Sequence, residues 1–239
     1  MTAYDKNVSV APDAPTDTAP DIPVTRASRD KAAVIVWRIS TDSGAGADTT
    51  GNPDAGDSPL TERLARHLVA IYSDMHATVV DFDADLNLQC AAEATGRTYS
   101  TITDLSGAAP ETHLPGPAAL ILLRWPRPAT GEPGSDANSL LSRCQRHLAD
   151  HGSTIVVVTA TQPGTGGASY SDHEQVLLPA AWTAGLRHLH DIVPIDAVDG
   201  RDAFTYATDQ RSARVTDSGV PRQDRVTTLV VFGHPGRRP

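Results

Sequence analysis

The sequence predicts a three-layer α/β domain: a mostly parallel sheet of about seven strands, helices on both faces, and an antiparallel pair at one edge. Three observations carry this. Short apolar runs alternate with helix-period segments over most of residues 31–239. The alternation breaks only at the end, where "LRHLHDIVPI" and "VTTLVVFGH" are joined by a long polar loop and no helix. The length, 239 residues, suits one such domain with a proper core.

Taken in order, residues 1–30 are rich in Ala, Pro, Asp and Thr and are expected to form a disordered tail before the α/β domain of 31–239. "KAAVIVWRIS" (31–40) is a dense apolar run and predicts a buried strand. Residues 41–58 read as a loop; Gly44 and Gly46 within it are not followed by a helix in register, which speaks against a phosphate loop. "SPLTERLARHLVAIYSDM" predicts a helix with Ser58 as N-cap, Pro59 at the first position, and Leu60, Leu64, Leu68 and Ile71 on one face. "ATVVDF" is a strand, "LNLQCAAEATG" a short helix stopped by Gly96, and "RTYSTIT" another strand. "PAALILLRW" is a strongly apolar strand. "SLLSRCQRHLADHG" predicts a helix ending at Gly152, and "STIVVVTA" the strand after it. "DHEQVLLPAAWTAG" predicts a helix that Pro179 would kink, before the two closing strands and their loop, 207–225.

Acidic residues outnumber basic ones, 29 to 20, for a formal charge of −9. That balance argues against strong autonomous binding of nucleic acid. Cys90 and Cys144 both fall in helix-like segments and read as reduced thiols. No run approaches the length of a membrane span and no basic-then-apolar leader opens the chain, so a soluble, cytoplasmic protein is expected.

Several stretches together resemble the S-adenosylmethionine-dependent DNA methyltransferases that modify exocyclic amines (N4 or N6) and share the class I Rossmann-like fold. They are "VWRIST", "SPLTERLARHLV", "VVDFDADLNLQCAAEATGRTYSTITD", "AALILLRW", "LLSRCQRHLADHGSTIVVVT" and "TTLVVFGHP", spanning roughly residues 34 to 236. The resemblance implies adenosylmethionine as cofactor, bound where a glycine turn brings backbone and helix N-terminus against it. Asp81 stands at the strand-end acid of that motif, and Asp104 stands near the family's ribose-binding acid. The glycine positions hold Asp83, Ala84, Asp85, Leu86 and Asn87 instead. Asp81, Asp83, Asp85 and Asp104 are therefore the candidate cofactor contacts.

The family's catalytic "DPPY" motif falls on Arg124-Trp125-Pro126-Arg127-Pro128. Arg124 takes the place of the acid and Arg127 that of the aromatic, and a guanidinium cannot accept a hydrogen bond from an amine. No catalytic residue is assigned. Arg124, Trp125 and Arg127 are instead a candidate anion or nucleic-acid site at the carboxyl edge of a central strand, weighed evenly against a rigid turn with its arginines in solvent.

Other constellations favour plain readings. Cys144, His147 and His151 fit one helical face, but histidines before Gly152 suit a helix C-terminus better than a metal. His188 and His190 alternate on a strand, so they are expected on one face. "GTGGASYS" (164–171) reads as an ordinary loop, and no Gly-x-Ser-x-Gly elbow is present. The expectation is a methyltransferase-like pseudoenzyme that binds a protein partner, a nucleotide-like ligand or, weakly, nucleic acid. The alternatives are an active methyltransferase with an atypical turn, and a structural module, perhaps a homodimer, with no ligand.

Overall fold

The computed structural model describes residues 32–40, 60–102, 114–127, 136–161, 167–198, 201–204 and 225–235. The expected tail, Ser58, Pro59, Asp104 and the loop from 207 lie outside these residues. The elements are β1 (Ala33–Ser40), α1 (Glu62–Tyr72), β2 (Thr78–Asp81), α2 (Leu86–Ala94), β3 (Thr98–Thr101), β4 (Ala118–Trp125), α3 (Ala137–His147), β5 (Leu148–Thr161), α4 (Tyr170–Thr183), β6 (Arg187–Val198), β7 (Arg201–Phe204) and β8 (Arg225–Gly233). The strands form one sheet in the order β1-β6-β8-β5-β4-β2-β3, with β7 paired to β6. β1 is parallel to β6, and β2, β3, β4 and β5 are parallel to one another. β8 is antiparallel to both β5 and β6, and β7 is antiparallel to β6. This is the predicted Rossmann-like class. The antiparallel β6–β8 pair lies one strand in from that margin, because β1 pairs outside β6.

Period-two alternation divides the core between the two faces of the sheet. Val79, Leu120, Leu122, Ile155, Val157, Leu229 and Val231 pack with α1 and α2 through Leu64, Leu68, Leu88 and Ala91. Val80, Ile121, Leu123, Val156, Val158, Val230 and Phe232 pack with α3 and α4 through Leu140, Leu141, Leu177 and Ala180. Each helix begins at a residue whose side chain accepts an N–H of the first turn: Thr61, Asp85, Asp136 and Ser169. Such a cap is worth about 1 kcal/mol.

Four local expectations are corrected. The N-cap of α1 is Thr61, not Ser58, and the buried stripe of the helix runs through Leu64, Leu68 and half-buried Tyr72. Ile71 lies about 60° around the helix from the middle of that stripe, on the side away from buried Ala65 and Val69, and is 59% exposed. α3 stops at His147, and β5 begins at once, so His151 sits on a strand and the Cys144/His147/His151 face does not form. Gly152 serves close packing: a Cβ there would lie 2.5 Å from the carbonyl oxygen of Ala118. His188 and His190 point to opposite faces, because the β6–β8 register shifts between them. His188 lies against Phe232 and bonds Asp191, whereas His190 bonds the Tyr72 hydroxyl.

The fourth correction concerns β1. Its apolar run is not buried: Val34, Ile35 and Val36 are 63%, 39% and 58% exposed. The run is as apolar as a central strand, but it occupies the sheet margin. Only its second half is covered, with Trp37 against His67 and Tyr72 of α1 and Ile39 in the core. The Pro179 of α4 leaves that helix continuous.

Candidate functional site

The parallel strands β2 and β4 are neighbours and end at the same margin of the sheet, with Asp81 opposite Leu122. Ligands of open α/β sheets bind beyond this carboxyl edge. Here the edge carries three aspartates from the end of β2 and the turn after it, and two arginines from the end of β4 and the turn after it.

Asp81, the last residue of β2, is fully buried. Its Oδ1 accepts the N–H of Asp83 at 2.8 Å, and its Oδ2 accepts the N–H of Asp85 at 2.6 Å and the hydroxyl of Tyr99 at 2.9 Å. Asp85 caps α2, its Oδ1 accepting the N–H groups of Asn87 and Leu88 at 3.0 and 3.2 Å. The turn therefore has the bend of a glycine turn, with Ala84 in the left-handed region at φ 53°. Four of the N–H groups of this turn and the start of α2, those of Asp83, Asp85, Asn87 and Leu88, are bonded to its own carboxylates.

The remaining carboxylate oxygens face β4. Asp83 Oδ2 accepts the backbone N–H of Arg124 at 2.6 Å. Asp83 Oδ1 lies 2.9 Å from Nη2 of Arg127, which also donates to the carbonyl oxygen of Phe82 at 3.0 Å. Nη2 of Arg124 reaches Asp85 Oδ2 at 3.2 Å. Asp83 and Arg127 are largely buried, with side chains 13% and 14% exposed, and Asp85 is wholly so. Burial pushes Asp81 up to about 6, against the pull of its three hydrogen bonds. It also raises Asp83, opposed by the charges of Arg127 and Arg124. Burial raises Tyr99 too, helped by the charge of Asp81.

Two groups that the sequence treats separately are thus one cluster. Asp81, Asp83 and Asp85 meet Arg124 and Arg127, while Asp104 lies outside the described residues. Trp125 does not join them; it packs against the core on the α3/α4 side. Tyr99 is the member the sequence reading missed. Its place on β3, whose residues pair with β2 from Thr78 to Asp81, is a signal only once that pairing is known. Among the described residues no group of His, Cys, Asp and Glu is placed to hold a metal, and no helix is long and apolar enough to cross a membrane.

No protein-family model matches the chain, and no curated protein matches it in sequence. Solved structures with a similar course include a pericyclic reaction enzyme, at TM-score 0.37 and 12% identity over 88% of this chain and 45% of that one. A methyltransferase of calicheamicin biosynthesis, bound to S-adenosylhomocysteine, matches at TM-score 0.36 and 14% identity over 72% of this chain and 55% of that one. A geranyl diphosphate C-methyltransferase from Streptomyces coelicolor A3(2) matches at TM-score 0.39 and 10% identity over 71% and 79%. This chain spans under half the length of the first. At these scores the likeness is loose, and the methyltransferase-like layout rests on the strand order itself. None of the three is named as a DNA methyltransferase.

Proposed function

We propose that this chain is a methyltransferase-like protein whose cofactor turn has been closed by an internal aspartate–arginine lattice, and that it acts by binding a partner, not by methyl transfer. One observation carries the reading: the carboxylates of Asp83 and Asp85 are tied to Arg127 and Arg124 across the strand ends. Adenosylmethionine needs free N–H groups for its carboxylate and open backbone beside its sulfonium. At this turn the N–H groups of Asp83, Asp85, Asn87 and Leu88 are already bonded. The residues do not fit the cofactor, so no methyl-transfer step is assigned to them.

The same pairs bear on the nucleic-acid reading. Arg124 and Arg127 would have to leave Asp85 and Asp83 to grip a phosphate, in a chain of formal charge −9. The likeness to DNA-modifying enzymes is therefore not carried into function. What the lattice supplies is a rigid tie between β2 and β4, suited to a scaffold that presents surfaces.

Thermal unfolding with adenosylmethionine and adenosylhomocysteine tests this. At about 1 mM ligand, a site with a Kd near 10 μM would add about 2.7 kcal/mol to stability. The expected result is no change in melting temperature. A rise of several degrees with either ligand, together with methyl transfer to any acceptor, would overturn the proposal.

A further inference from the structure

We infer that β1 is the interface of a twofold homodimer, in which it pairs antiparallel with β1 of a second copy about an axis through Ile35. An apolar strand left open at a sheet margin is a ready template for another strand, and proteins normally blunt such edges with charge, proline or cover. Over its first half β1 has no charged side chain and no proline, residues 33–37 reading Ala-Val-Ile-Val-Trp, and among the described residues nothing covers its open edge. Among the described residues its one strand neighbour is β6. Val34, Ile35 and Val36 are exposed on alternate faces, so the occupant must be a strand that is apolar on both faces. β1 is itself such a strand.

A twofold axis perpendicular to the sheet keeps each face continuous, so opposed residues must have the same parity. Centring the axis on Ile35 sets Ile35 against its own copy and Val34 against Val36 twice over. It sets the large Trp37 against the small Ala33. Charge favours the same register. Two copies of a chain with formal charge −9 repel through most of their surface and can approach best where charge is absent. Arg38, the sole charged residue of β1, then faces Ala32 and not its own copy. The result is one sheet running through both copies, with β1 at its centre.

The test uses the full chain and two charge variants at the axis, Ile35→Lys and Ile35→Asp. Lysine or aspartate at an exposed edge is compatible with folding, and circular dichroism checks that both variants stay folded. Sedimentation velocity at roughly 100 μM chain, where a Kd of about 10 μM leaves mostly dimer, should show a dimer for the wild type. Each variant alone should be monomeric, because like charges oppose at the axis. Their equimolar mixture should recover the dimer. A wild type that is monomeric at this concentration overturns the inference. So does a variant that still dimerises alone, or a folded pair that fails to recombine.

Discussion

Arg127 Nη2 lies 2.9 Å from Oδ1 of Asp83 and donates to the carbonyl oxygen of Phe82 at 3.0 Å. One guanidinium thus holds both the backbone and the side chain of the turn in which a methyltransferase would hold its cofactor. The pair is shielded from water, so removing one partner leaves a buried charge unpaired. Asp83→Asn and Arg127→Gln should each cost about 2–3 kcal/mol. A double-mutant cycle by urea unfolding should return a coupling of about 1–2 kcal/mol. Additive losses would show that the two side chains do not support one another.

Asp85 has two tasks, capping α2 and pairing with Arg124. Asp85→Ala should therefore cost more than an ordinary lost cap, about 2–3 kcal/mol against about 1. Asp136→Ala, at the exposed cap of α3, is the control and should cost only the smaller amount. Equal losses would leave the Asp85–Arg124 pair without energetic weight.

Burial raises Asp81 to about 6, above its value in the unfolded chain. The native state therefore holds this proton more firmly than the unfolded state does. The resulting stability is fully present below about pH 4 and is lost as pH rises to about 6, a change of about 3 kcal/mol. Asp81→Asn cannot titrate. The stability difference between wild type and Asp81→Asn should shift against the wild type by about that amount between pH 4 and pH 7. Parallel pH profiles would mean that the carboxyl is not perturbed in this way.

Gly152 sits at the close crossing of β4 and β5, where a Cβ would meet the carbonyl oxygen of Ala118 at 2.5 Å and the Leu148 side chain at 2.7 Å. Gly152→Ala should lower stability by about 2 kcal/mol through forced displacement of the strand. Gly116→Ala, where nothing lies within 4 Å of the added carbon, should be close to neutral. A Gly152→Ala variant as stable as the wild type would show that β4 and β5 yield to the added carbon without cost.

Much of the fold was legible because its signals are local. The runs at 78–81, 118–125 and 225–233 and the helix patterns between them needed only periodicity, capping residues and Gly96. The misplacement of β1 has a clear cause. A run such as Val34-Ile35-Val36-Trp37 is equally apolar at the centre or at the margin of a sheet, and only strand order tells the two apart. The site was half legible. Asp83 and Asp85 in place of glycine, and Arg124 and Arg127 in place of the catalytic motif, were visible as separate departures from a resemblance. That one compensates the other depends on β2 lying beside β4, with β3 on the outer side. Positions about forty residues apart then meet, and no sequence spacing announces it.

The most direct test of the closed turn is calorimetric titration of the purified wild-type chain with S-adenosylmethionine and with S-adenosylhomocysteine. The lattice predicts no measurable heat of binding at millimolar ligand, because four N–H groups of the turn are already bonded and its carboxylates are tied to Arg124 and Arg127. Saturable binding of either compound with a Kd tighter than about 100 μM, some 5 to 6 kcal/mol, would contradict it and return the turn after β2 to the working cofactor sites.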